Sequence, residues 1–107
     1  MLNCSSLFLD LLPKLAALFA QIAQHDCDLA RQLRRSAASV ALNLAEGNAS
    51  TKGTRKARFE SAYASLKETI AGLRVAAALG YIPPLDAALL DSLDYVAAST
   101  WRLMHPR

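Results

Sequence analysis

Breakers are scarce in this sequence. Of its 107 residues, only Pro13, Pro83, Pro84 and Pro106 are proline, and only Gly47, Gly53, Gly72 and Gly80 are glycine. That excludes a chain of many short strands and tight turns, and it leaves long uninterrupted runs that read as all-helical. Cysteine is scarcer still. Cys4 and Cys27 stand far apart and form no CxxC pair, which excludes a disulfide framework and a four-thiolate zinc site. Free thiols of this kind suit a reducing, cytoplasmic setting. A long apolar run is missing too. Leu7–Leu12 is interrupted by Asp10 and followed by Pro13 and Lys14, and no basic stretch precedes it. Neither a signal peptide nor a membrane span is therefore expected. The motifs of catalysis are absent as well: there is no GxSxG elbow, no P-loop and no GxGxxG.

What is present is apolar and small. Hydrophobic residues make up 53% of the chain, much of it alanine, the best helix former. The length fits one domain, residues 1–107, with one modest core. So small a core cannot hide so large an apolar share, so some apolar faces are expected to meet another copy or a partner.

Spacing organises the chain into four amphipathic helices. Phe8, Leu11, Leu12, Leu15, Leu18, Phe19 and Ile22 predict a helix over 5–24, with Ser5 or Ser6 at its start. Pro13 predicts a kink there, or a regular part that begins near Asp10. Asp26 or Asp28 caps a second helix from Cys27 to Glu46, with Leu29, Leu33, Ala37, Val40 and Leu44 on one face. Leu42 points away from that face. Gly47 is expected to end this helix in the left-handed conformation. A small polar loop, 48–53, follows, and Thr54, Ser50 or Thr51 caps the third helix. Phe59, Tyr63, Leu66, Ile70, Leu73 and Ala77 form its heptad-like seam up to Leu79, while Ser61, Ser65, Glu68 and Gly72 gather on the far side. Gly80 stops it. Pro84 opens a fourth helix that runs to Met104 on Leu85, Leu89, Leu93, Val96, Thr100 and Leu103, with Asp86 in its first turn. Short loops between four such helices predict an up-down-up-down antiparallel four-helix bundle.

No set of side chains converges on catalysis. Gln32, Arg35, Ser39, Asn43 and Glu46 line a stripe beside the core face of the second helix. A lone carboxylate without a second acid, a histidine or a metal cluster is weak ground for chemistry. Asn43 and Glu46 read better as a hydrogen-bonding pair that fixes helix register, with Arg35 or the serines of the third helix as partners for Glu46. Ser36, Ser39, Ser61 and Ser65 read as helix-packing serines, and His25 and Cys27 as loop residues, too few for a metal site of three or four ligands. No enzyme activity, metal or cofactor is expected.

Charge is the strongest functional signal. Residues 31–58 hold Arg31, Arg34, Arg35, Lys52, Arg55, Lys56 and Arg58 against Glu46 alone, while the remainder of the chain is net acidic. A basic region on a nearly neutral body suits an anionic partner, with arginine and lysine contacting phosphates without reading sequence. A solvated helix end accounts for the same charges. The only nearby aromatic, Phe59, belongs to the core seam, so base stacking is not expected. The competing reading is a protein-interaction scaffold, which the apolar surplus and Leu42 fit equally well.

The run Q-L-R-R-S-A-A-S-V-A-L-N-L-A-E-G at 32–47, the polar-basic loop, then R-F-E-S-A-Y-A-S-L-K-E-T and L-G-Y-I-P, resembles the four-helix-bundle family of 23S rRNA intervening-sequence proteins. That family is related to the accessory variability determinants of diversity-generating retroelements. The resemblance implies a cytosolic bundle that assembles as a homopentameric ring, with a link to RNA, DNA or a reverse transcriptase. Arg34, Arg35, Ser39, Asn43, Glu46, Gly47, Ser65 and Glu68 fall on its signature positions, and Ser39, Asn43, Glu46, Gly47, Ser65 and Glu68 are expected to serve structure and assembly. Ala41 replaces a proline common in the family, and the connection before Gln32 is short.

Overall fold

Helix propensity and capping decide the local structure. In the computed structural model, which describes residues 3–106, every regular element is helical. The elements are α1 (Cys4–Ala23), α2 (Cys27–Ala49), α3 (Lys52–Ala78) and α4 (Ala87–Met104). Three starts are fixed by side chains that accept an otherwise unpaired backbone N–H. Asn3 accepts from Ser5 at 2.8 Å, Asp26 from Leu29 at 3.0 Å, and Asp86 from Ala88 at 3.3 Å. Thr51 opens α3 without such a bond. At the other end of α3, Gly80 takes φ +79° while Tyr81 N–H donates to the Ala76 carbonyl and Gly80 N–H to that of Ala77. This is the Schellman arrangement expected of a stop glycine.

Four boundaries differ from expectation, each for a physical reason. The cap of α1 is Asn3 rather than Ser5 or Ser6. That helix also runs unbroken through Pro13. Pro13 is exposed and so is Leu9, whose carbonyl would have bonded the missing N–H, so the lost bond falls on the solvent side. Helix α2 does not stop at Gly47. It continues to Ala49, and its end is tied by the Ser50 hydroxyl donating to the Glu46 carbonyl at 2.6 Å. The 48–53 loop thereby shrinks to Ser50 and Thr51. Helix α4 begins at Ala87 rather than Pro84, with Asp86 as its cap. The Lys14 ammonium lies 2.9 Å from the Asp86 carboxylate and fastens this entry to α1. That hydrogen bond, helped by the Ala88 N–H, holds the Asp86 carboxyl below its ordinary pKa.

The apolar faces meet in one core. Phe8, Leu15 and Ile22 of α1, Leu33 and Leu44 of α2, Phe59, Leu66 and Leu73 of α3, and Leu93 of α4 are fully covered. Helix α1 is long and apolar enough to cross a membrane by length and composition, and four of its apolar side chains, Phe8, Leu15, Phe19 and Ile22, lie in this core. The largest interface joins α2 to α3. Helix α1 packs on α2, α4 packs on α3, and α1 closes on α4. The connection before α2 is held by His25, whose ring stacks on Tyr81 with centroids 5.1 Å apart.

Candidate nucleic-acid interface and the α2–α3 seam

Small side chains let α2 and α3 approach closely, and their polar atoms then have to find partners inside the seam. They do so in order. The Gln32 amide donates to Glu68 at 3.3 Å. The hydroxyls of Ser36 and Thr69 lie 2.8 Å apart, and these two residues are buried. The Ser39 and Ser65 hydroxyls meet at 2.7 Å, and the Asn43 amide donates to both the carbonyl and the hydroxyl of Ser39. Glu46 ends the series, 3.0 Å from the Arg58 guanidinium. From Ser36–Thr69 through Ser39–Ser65 to Glu46–Arg58, residue numbers rise along α2 as they fall along α3. The Ser36 and Thr69 hydroxyls also lie 3.1 and 2.9 Å from the carbonyls of Leu33 and Ser65; with one proton each, one donates across the seam and the other accepts it while donating to its own carbonyl, so both are engaged in structure. Among the described residues no buried side-chain N or O lacks a partner.

Ser65, Glu68 and Gly72 therefore face α2, whereas spacing alone had set them on the far side of α3. The reason is that α3 buries two stripes, one against each neighbour. Ala62, Thr69 and Ala76 are as covered as Leu66, Ile70 and Leu73. Thr69 is the seam residue that sequence reasoning passed over, and the seven-residue spacing 62, 69, 76 of small side chains is the signal that marks it. Ser61 stays exposed. Gly47 serves the same close approach: a Cβ there would stand 2.5 Å from the Phe59 ring. Its task is to admit that ring rather than to turn the chain.

The seven cations do not form one patch. Arg31, Arg34 and Arg35 lie exposed on the first half of α2. At 1.5 Å per residue, about 22 Å of helix separates Arg34 from the α2–α3 turn. Arg31 sits 3.4 Å from Asp28. Around the turn, Arg58 is taken by Glu46, which is the partner expected to be Arg35 or a serine. The Arg55 guanidinium lies 5.0 Å over the Phe59 ring, half-buried. Lys52 and Lys56 are exposed and, with Arg34 and Arg35, make no ion pair among the described residues. Lys52, Arg55 and Lys56 share a shallow hollow with Leu103 and Pro106, so the basic start of α3 lies against the end of α4.

No group of three or more His, Cys, Asp or Glu side chains gathers among the described residues as a metal site would require. Cys4 is buried and Cys27 exposed, both free.

Comparison with known families decides the lineage. The family model described as 23S rRNA-intervening sequence protein matches residues 9–97. The chain belongs to this family. The match takes in the whole α2–α3 seam and the turn with its cations, and it ends within α4, before Trp101. Curated proteins and solved structures yield no match to the chain. Members of the 23S rRNA-intervening sequence protein family are thus the frame for Ser39, Asn43, Glu46, Gly47, Ser65 and Glu68, all of which lie inside the matched span and inside the α2–α3 interface.

Proposed function

We propose that the chain is a non-enzymatic, cytoplasmic module that folds as an up-down-up-down antiparallel four-helix bundle, assembles as a homo-oligomeric ring, and binds nucleic acid through its cations. The observation that carries the reading is the turn between α2 and α3. Lys52, Arg55 and Lys56 stand together there with no acidic partner among the described residues, while Glu46 is already engaged by Arg58. Cations held this way offer contacts to phosphates without base reading. Repetition of the turn around a ring multiplies a modest charge into useful affinity. Exposed Leu9, Leu42, Val75 and Leu79 supply apolar surface for the assembly. The seam hydroxyls, all hydrogen-bonded to one another or to backbone carbonyls, support a structural rather than a catalytic role.

RNA is the first probe, because the family's description refers to 23S rRNA. The test is binding of labelled RNA and DNA over a salt series, with the mass of the protein in solution measured alongside. Wild-type affinity should fall steeply with salt, and replacing Lys52, Arg55 and Lys56 by alanine should reduce the slope of log K against log[salt] by about 2 to 3. An intact oligomer that binds neither nucleic acid at low salt refutes the proposal.

One observation favours a second reading, an accessory scaffold for a protein such as a reverse transcriptase. Leu42 is 62% exposed on the outer face of α2. A pull-down from the native host after nuclease treatment that retains one protein partner, lost on Leu42→Glu, would favour the scaffold.

A further inference from the structure

Helices α2 and α4 stand at opposite corners of the bundle, each packed on α1 and on α3. They begin at the same end, because the connection before α2 and the one before α4 meet where His25 stacks on Tyr81. They finish at the same end too. Gly47 of α2 lies against Phe59, and Leu103 of α4 shares a hollow with Lys52, Arg55 and Lys56, so both last turns lie by the start of α3. The outward face of α2 therefore points away from the outward face of α4, at the same height along the bundle.

The two outward stripes carry opposite charge, each followed by apolar surface. On α2 the exposed residues run Arg31, Arg34, Arg35, then Ala38, Leu42 and Ala45. On α4 they run Asp91, Asp94, then Tyr95, Ala98 and Trp101. Arg31 and Asp91 are each the fifth residue of their helix, so the charged turns share one height and the apolar turns the next. Leu42 is 62% exposed and Trp101 48%. Among the described residues Arg31 is bonded to Asp28, whereas Arg34, Arg35, Asp91 and Asp94 make no ion pair. Cations of the neighbouring helices are engaged elsewhere. Lys14 of α1 is held by Asp86, and Lys67 of α3, which shares a groove with Asp94, lies 5.5 Å over the Tyr63 ring. Arg102 is the cation of the α4 stripe, but it stands past the charged turn, at the height of Leu42, with its guanidinium 3.2 Å from the Ser99 hydroxyl.

We propose that the outward face of α4 docks on the outward face of α2 of a second copy of the chain, with the two helices parallel. Arg31, Arg34 and Arg35 then meet Asp91 and Asp94, while Ala38 and Leu42 cover Tyr95, Ala98 and Trp101. Charge selects the parallel arrangement. Turned antiparallel, the same faces would set the arginines against Trp101 and Arg102 and the carboxylates against Leu42. A foreign partner would need one of these faces; this chain carries both, matched in height. Because the faces lie at opposite corners, each contact leaves one free α2 face and one free α4 face. The contact passes from copy to copy and closes as a ring when its rotation divides a full turn. This inference rests on the ring reading above and names its interface. It also gives the α2 arginines a task separate from that of Lys52, Arg55 and Lys56.

The test is an exchange of charge, read by the mass of the full-length protein in solution over a concentration series. Arg34→Glu with Arg35→Glu reverses the α2 face, and Asp91→Lys with Asp94→Lys reverses the α4 face. All four side chains are exposed, and none belongs to an ion pair among the described residues, so circular dichroism should be unchanged. Either reversal alone sets like charge on like and should raise the concentration needed for assembly by about tenfold or more. The four changes together restore opposite charge and should recover the wild-type mass. Trp101 is the only tryptophan in the chain. Its emission should move to shorter wavelength as the wild type assembles, and should do so only at higher concentration in the singly reversed variants. A wild-type oligomer whose mass survives both reversals overturns this interface while leaving the ring standing. Folded reversals that dissociate without recovery in the fourfold variant overturn it as well. A monomeric wild type leaves these faces to a foreign partner and overturns ring and interface together.

Discussion

Three glycines that share a residue type should respond to alanine in three different ways. In a helix interior, alanine is favoured over glycine by about 1 kcal/mol. At Gly53, in the first turn of α3, a Cβ would meet nothing within 4 Å, so Gly53→Ala should realise much of that gain. At Gly72 the new Cβ would stand 2.5 Å from Leu33 Cδ2, the far end of a flexible though buried side chain, and the gain and the crowding should roughly cancel. At Gly47 the neighbour is the Phe59 ring, with three atoms between 2.5 and 3.0 Å. That ring is rigid and fully buried, and it has to retreat by about 1 Å to reach ordinary contact. Overpacking of this kind costs about 1–3 kcal/mol, and a fully enclosed ring sits at the upper end. Gly47→Ala should therefore lose roughly 2 kcal/mol net, a fall in Tm of about 10 °C for a domain of this size. The assay is thermal and urea unfolding of the three variants at one fixed protein concentration, because association would otherwise move the midpoints. Adding Phe59→Leu should make the two changes at 47 and 59 markedly less than additive, since each relieves the other. If Gly47→Ala proves as stabilising as Gly53→Ala, the α2 end does not pack on Phe59 and the account of the seam is wrong.

The other predictions concern polar contacts. Ser36→Ala should cost about 1–2 kcal/mol in urea unfolding, and pairing it with Thr69→Val should cost less than the sum of the two, because no buried hydroxyl is then left without its mate. Arg58→Ala should change stability by less than about 1 kcal/mol, since its bond to Glu46 is half-exposed, and the small loss should vanish in high salt. Asp86 has a folded-state pKa below its unfolded value, so the stability it adds is full above the ordinary carboxylate range and fades as pH falls through the lowered value. Asp86→Asn should consequently narrow the gap in unfolding midpoint between neutral and strongly acidic solution, as read by denaturant melts across that range.

The helices themselves were legible because each is written locally. The three- and four-residue spacing of Leu33, Ala37, Val40 and Leu44, or of Leu89, Leu93, Val96 and Thr100, needs no knowledge of a neighbour to mark a buried face. Gly80 as a stop and an acidic cap for α2, narrowed to Asp26 or Asp28, were equally local, each acting on backbone groups a few residues away. The family signature, too, lies in one continuous stretch. Gly47 was read as a stop because glycine permits both a left-handed turn and a missing side chain, and a sequence does not say which property is in use. Only the arrival of Phe59 from α3 does. Ser65, Glu68 and Thr69 needed the second neighbour of α3 before their face could be assigned. The partner of Glu46 and the division of the cations into two groups followed from where α3 lies against α2. That Trp101 lies beside Tyr63 and Lys67 followed from where α4 packs on α3. Periodicity fixes which residues turn inward, because that depends on one helix. Which side chains meet depends on how the helices lie together, and no single segment carries that information.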